Sequence, residues 1–165
     1  MEICLKIKKV DKTNFAPFGE FHYRPQGKIS FECERFNWYD RITAVDLGVA
    51  SFGMVSPSYT GKFEQVALEQ HKNTKEIYIP LDNDIIIVVA KPDAFDKERF
   101  HAEDFAAFHI PAGSMVIMHE GIWHEAPMTF ASRANVLVIY RDKTGQDDKQ
   151  LIEMKDCNIS IKAVL

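Results

Sequence analysis

A mainly all-β fold, either a sandwich or a closed barrel, is what this sequence predicts. Three observations carry that reading. Short apolar runs alternate with polar residues at a period of two. Gly, Pro and Asn/Asp clusters punctuate those runs at short intervals. No long amphipathic stretch is present that could serve as a crossover helix between parallel strands.

Taken in order, Ile3–Val10 sets Ile, Leu and Ile against Cys, Lys and Lys, as a half-buried strand does. In the following DKTNFAPFGEF, Thr13 or Asn14 is placed to cap a short helical turn that Pro17 and Gly19 end. Val45–Val55 and Phe63–Gln70 read as strands, and Glu76–Pro80 as a short one. Ile85–Ala90 (IIIVVA) is apolar throughout and mostly β-branched, which predicts burial on both faces. Asp93–Asp104 reads as a loop or short helix, with the alternative of a lid. Ser114–Met118 and Asn135–Tyr140 are further strands, while Asp142–Lys149 (DKTGQDDK) reads as a solvated loop. The tail Cys157–Leu165 alternates again and suits pairing with the first strand.

The 165 residues suit one domain, 1–165, long enough to bury a real core. A net charge of -4 argues against a general nucleic-acid binder, which needs surplus Lys and Arg. It leaves room for a small anionic ligand in a locally basic pocket. Ile85–Ala90 is too short to span a bilayer, so no membrane partner is expected. Three widely spaced cysteines, Cys4, Cys33 and Cys157, suit a reducing, cytoplasmic setting. The N-terminus does not read as a signal peptide.

Two clusters carry chemistry. In the first, Glu69 and His71 are two apart and share a strand face, and Glu76 follows a turn-like KNT stretch that lets it point the same way. In the second, His119 and His124 flank Gly121, which permits a tight turn. Imidazole and carboxylate suit Ni, Mn, Fe or Zn. The same groups serve as general acids and bases near neutral pH. The residues alone leave open both a metal centre (His71, Glu76, His124, Glu69) and a metal-free site. Each also has a plainer reading: His71 or Glu69 as solvated strand residues, His119 as a turn residue, His124 and Trp123 as packing partners. His22, His101 and His109 are taken as structural or exposed.

At this point a resemblance becomes specific. Glu69-x-His71-x4-Glu76 resembles the first cupin motif, with Glu in the place of its first His, and Gly121-x-x-His124 resembles the end of the second. More narrowly, ALEQHKNTKEIYIPLDNDIIIVVA and HEGIWHEAP resemble the ureidoglycolate lyase family. The opening FAPFGEF and the late Arg141 also fit that family. The resemblance implies a double-stranded β-helix, or jelly-roll barrel, with one or two short helices. It implies cleavage of ureidoglycolate to glyoxylate and urea in allantoin and purine breakdown. His119, His124 and Glu76 would be catalytic, and Arg141, Lys75 and Trp123 would contact a small anionic substrate. Cupins commonly form homodimers, and a terminal strand, Ile3–Val10 or Cys157–Leu165, is the expected edge for one. The chain departs from the family pattern in four places. Glu76 stands where Gln is frequent, Gly53–Met54 where Asn-Arg is frequent, Glu125 replaces a second His, and Ala126 precedes Pro127. Those departures keep a second reading in play, a non-catalytic or differently specific cupin that binds a small anion or sugar acid.

Overall fold

The computed structural model describes residues 1–23, 29–96 and 101–164. Its larger sheet contains β1 (Glu2–Lys9), β6 (Glu64–Gln65), β7 (Ala67–Gln70), β9 (Ile85–Ala90), β10 (Phe105–Ile110), β12 (Trp123–His124), β13 (Met128–Thr129), β15 (Gln150–Glu153) and β16 (Ser160–Val164). The smaller contains β2 (Gly19–His22), β5 (Ala50–Val55), β8 (Glu76–Pro80), β11 (Met115–Met118) and β14 (Val136–Arg141). A separate hairpin joins β3 (Phe31–Cys33) to β4 (Phe36–Trp38). Two one-turn helices, α1 (Lys12–Phe15) and α2 (Thr144–Asp147), complete the jelly-roll.

Strand order in the large sheet is β15-β7-β12-β9-β10-β1-β16-β6, with β13 alongside β9; in the small sheet it is β2-β11-β8-β14-β5. The main core lies between the two sheets. Ile85, Ile87 and Val89 of β9 and Phe108 of β10 meet Tyr78, Val116, Met118 and Val136 of the small sheet. The alternate residues of β9, Ile86, Val88 and Ala90, enter a second cluster on the other face with Ile3, Leu5, Trp123 and Ile161. Two cores, one on each face, explain why IIIVVA has no polar residue. Each Ile so buried contributes on the order of 2 kcal/mol of transfer free energy.

Several elements differ from the sequence reading, each for a physical reason. The helical turn is capped by Asp11, whose carboxylate accepts from the N–H groups of Thr13 and Asn14, both at 2.8 Å; Asn14 closes the reciprocal half of a capping box. Of Val45–Val55 only Ala50–Val55 is strand. Phe63–Gln70 breaks into β6 and β7 at the exposed Val66. The DKTGQDDK segment is no solvated loop: it forms α2 and buries Thr144 and Asp148. Of the Asp93–Asp104 stretch, residues 97–100 lie outside the described residues, and Ala102–Asp104 is a 3-10 turn.

The terminal strands are not edges. β1 is flanked in parallel by β10 and β16, and β16 is covered in turn by β6. The tail pairs with the first strand as its pattern suggests, and that pairing is what removes both as dimer edges. The small sheet ends instead at β5, whose outward residues Phe52 and Met54 are 69% and 57% exposed.

Candidate active site at one end of the barrel

Strand parity aims the site residues. His124 pairs with Glu69 on one side and with Val89, an inner-core residue, on the other, so Glu69 and His124 face the barrel interior. Trp123, one residue earlier, falls on the opposite face. It packs on Phe95 and donates its indole N–H to the Pro92 carbonyl at 3.1 Å. From the small sheet Glu76 and Tyr78 point inward opposite Tyr140 and Val138. His71 follows β7 directly and is brought in by the Gly121 turn. Gly121 has φ of +80°, where a Cβ is strained, and its N–H donates to the His71 carbonyl at 2.6 Å. The buried amide of Gln70 donates to the Gly121 carbonyl, also at 2.6 Å, locking the two turns together.

Both histidines are held in one tautomer. His71 Nδ1–H donates to the Asp148 carbonyl at 2.8 Å, and His124 Nδ1–H donates to the Ile122 carbonyl at 2.9 Å. A carbonyl only accepts, so each Nε2 carries the free lone pair when the ring is neutral. His124 Nε2 is buried and has no hydrogen-bond partner among the described residues. Glu76 lies beneath the pair, its Oε2 3.4 Å from His71 Nε2 and 3.6 Å from His124 Nε2. Ligand atoms of Glu69, His71 and His124 lie within 4.8 Å of one another. This group can hold a metal ion: two oriented imidazoles and a carboxylate form an N,N,O donor set, and the orphaned Nε2 is an atom such an ion would satisfy.

Electrostatics are set by the same contacts. His71, at 3.8 Å an ion-pair neighbour rather than a hydrogen-bond partner, and then Lys149 hold the Glu69 carboxyl down at about 2. Burial lowers the His71 imidazole, but Glu69, the Asp148 carbonyl and Glu76 outweigh it and leave it raised. Burial raises Glu76, yet His124 and His71 outweigh that and keep it below the ordinary carboxylate range. Burial, with the charges of Glu76 and Glu69, pushes the Tyr78 phenol well above its ordinary value, so Tyr78 stays neutral.

The cavity beside these groups has a volume of about 210 Å³ and is lined by Glu69, His71, Glu76, Tyr140, Thr144 and Lys149 among others. Of the expected substrate contacts, none lines it. Arg141 has the opposite parity to Tyr140 and is engaged by the Asp147 carboxylate. Lys75 has the opposite parity to Glu76, and its charge acts on Glu20. Trp123 belongs to the second core. His119 sits half-buried on the turn after β11, with its backbone N–H bonded to the Phe18 carbonyl at 3.0 Å. Glu125, which replaces the family's second His, accepts from the Ala67 N–H at 3.4 Å. Tyr78, Tyr140, Thr144, Asp148 and Lys149 are the residues that sequence reasoning missed. The inward parity of Tyr78 with Glu76, two residues apart, was the one available signal.

The family model described as ureidoglycolate lyase matches residues 2–161. The chain belongs to the ureidoglycolate lyase family. No curated protein matches it. Among solved structures, a dTDP sugar isomerase from Desulfovibrio desulfuricans G20 is similar at 12% identity with a TM-score of 0.52, covering 81% of this chain and 84% of that one. An RmlC from Streptococcus suis matches at 7% identity and TM-score 0.44 over 58% of this chain. An oxalate decarboxylase from Lactobacillus farciminis matches at 12% and 0.44 over 66%. The chain spans 45% and 27% of the length of those last two. At these identities the likeness is one of fold, the cupin jelly-roll. Among the described residues no helix is long and apolar enough to cross a membrane.

Proposed function

We propose that this protein is a ureidoglycolate lyase that cleaves ureidoglycolate to glyoxylate and urea, in the breakdown of allantoin-derived purine nitrogen, at the cavity lined by Glu69, His71 and Glu76. The observation that carries the reading is the pair of carbonyl-oriented imidazoles, His71 and His124, whose Nε2 atoms converge on Glu76. Glu69, His71 and His124, with Glu76 beside them, would hold a divalent ion, Ni, Mn, Fe or Zn on donor type. When bound, that ion supplies Lewis acidity and a template for a hydroxy acid. Charge balance favours it. Glu69 and Glu76 bring two negative charges and the substrate a third, against the single ammonium of Lys149 in the cavity wall, and a dication restores neutrality.

The chain's own groups account for the proton movements. Ureidoglycolate is a carbinolamine, so cleavage removes the hydroxyl proton, forms the aldehyde C=O, breaks the C–N bond and protonates the departing ureido nitrogen. Glu76, a buried carboxylate, accepts the hydroxyl proton and returns it to that nitrogen, so no net proton is consumed. The two imidazole Nε2 atoms, 3.4 and 3.6 Å from Glu76 Oε2, fix where that carboxylate sits.

The test is release of urea and glyoxylate from racemic ureidoglycolate by protein as purified, after chelation, and after return of each metal. Turnover restored by metal is the expected result. Absence of turnover from folded protein under every condition sinks the reaction and leaves a cupin that binds another small anion. The three free cysteines suit a cytoplasmic enzyme. The exposed face of β5 is the proposed homodimer contact, and Phe52→Lys is expected to give a monomer in analytical ultracentrifugation. A wild-type monomer at micromolar concentration removes that assignment.

A further inference from the structure

The wall of the cavity contributed by the segment around α2 takes no part in the proton movements above, yet its side chains line the same space. Lys149 is the one Lys or Arg among the residues that line the cavity. Thr144 lines it too, is 2% exposed, and its hydroxyl is buried with no hydrogen-bond partner among the described residues. A buried hydroxyl left unpaired is costly unless a ligand completes it. The Lys149 ammonium pairs with Glu69 Oε2 but carries three N–H donors, and its side chain is 41% exposed, so donors remain for an incoming group. Neither cation that the sequence offered for an anionic substrate lines the cavity: Arg141 pairs with Asp147, and Lys75 is one residue out of phase with the inward-facing Glu76.

We propose that Lys149 and Thr144 form the carboxylate subsite of this cavity, the ammonium and the hydroxyl each donating to one oxygen of a small hydroxy-acid substrate. The proposal rests on the cavity being the substrate site of the lyase read above, and it names the residues that select an acid over its neutral analogue. An ammonium beside an orphaned hydroxyl suits a carboxylate: two donors from one segment meet two acceptor oxygens. The segment is itself anchored to the rest of the site. The Asp148 carboxylate accepts from the backbone N–H groups of Lys72 and Asn73 at 3.0 and 2.8 Å, and its carbonyl orients His71. A substrate gripped by its carboxylate at Lys149 is thereby placed in register with the imidazoles.

The probe pair is glycolate and its neutral isostere glycolamide, titrated calorimetrically into protein as purified. Wild type is expected to bind glycolate at least about tenfold more tightly than glycolamide, the scale of a charge-assisted hydrogen bond. Lys149→Met should remove that preference by weakening glycolate alone, Thr144→Val should reduce it about threefold, and Lys149→Arg should keep most of it. Thermal melts confirm that each variant is folded. A glycolate preference that survives Lys149→Met overturns the subsite, as does a wild type without any preference. Preference lost in Lys149→Met while ureidoglycolate is not turned over supports the subsite and removes only the reaction. Turnover by wild type together with an unchanged preference in Lys149→Met removes only the subsite.

Discussion

The two walls of the cavity are built in different ways. On the strand side, Glu69, Glu76 and His124 sit on ladders whose alternate residues, Leu68, Ile77 and Trp123, are buried in apolar packing. Their direction follows from a period of two and from the burial of their neighbours. On the α2 side, Thr144 and Lys149 lie on one helical turn and its exit, with no ladder beneath them. Polar contacts hold that segment: Asp148 to the 72–73 turn, Asp147 to Arg141, and Lys149 to Glu69. The difference teaches that the strand wall stands or falls with the core, whereas the α2 wall can be released while the barrel persists.

The largest expected effect lies in the core. Ile87 is fully buried between the sheets, and Ile87→Ala should cost about 2–5 kcal/mol in urea denaturation, lowering both walls together. A loss below about 1 kcal/mol would show that the strand wall does not depend on that packing. Next comes His124→Ala, which removes a donor from the strand wall without touching α2. Metal affinity should fall by more than about 100-fold, beyond the loss typical of an outer-shell partner. Equal metal content in mutant and wild type would place any metal elsewhere.

Asp148→Ala sharpens the contrast. It deletes the carboxylate that accepts three hydrogen bonds from Lys72 and Asn73 but keeps the carbonyl that orients His71. Stability should drop by about 1–3 kcal/mol, with metal affinity down about tenfold as the His71 turn loosens. An unchanged affinity would show that α2 does not position His71. The smallest effect concerns the ion pair that ties the two walls. Glu69 lies at about 2 in the folded protein against an ordinary 4.5, so its carboxylate favours folding above the higher value. That contribution is lost as pH falls from about 4.5 towards 2. Metal-free wild type should therefore lose stability more steeply over this window than Glu69→Gln. Parallel pH profiles would remove the link.

Much of the fold was legible because burial writes directly onto strands. Glu76–Pro80 and Ile85–Ala90 have the bounds that their apolar patterns suggest. The tail pairs with the N-terminal strand. Legibility failed where spacing carries no information about partners. DKTGQDDK is polar enough to be a solvated loop, and nothing local says that Asp148 will find the backbone of residues 72 and 73, more than seventy positions earlier. Arg141 and Lys75 were attractive as cations near motifs, but each is one residue out of phase with the inward-facing positions Tyr140 and Glu76.

By itself the amino-acid sequence determined the β architecture, the family, and the placing of Glu69, His71, Glu76 and His124 in two short motifs. These follow from local periodicity and from residue types that sit close together along the chain. Only the tertiary structure decided that the two histidines share one tautomer and converge on Glu76. It also decided that Lys149 rather than Arg141 faces the cavity, and that both terminal strands are paired on two sides while β5 ends the small sheet. Those outcomes depend on hydrogen bonds and strand pairings between segments far apart in the chain, which no local pattern encodes.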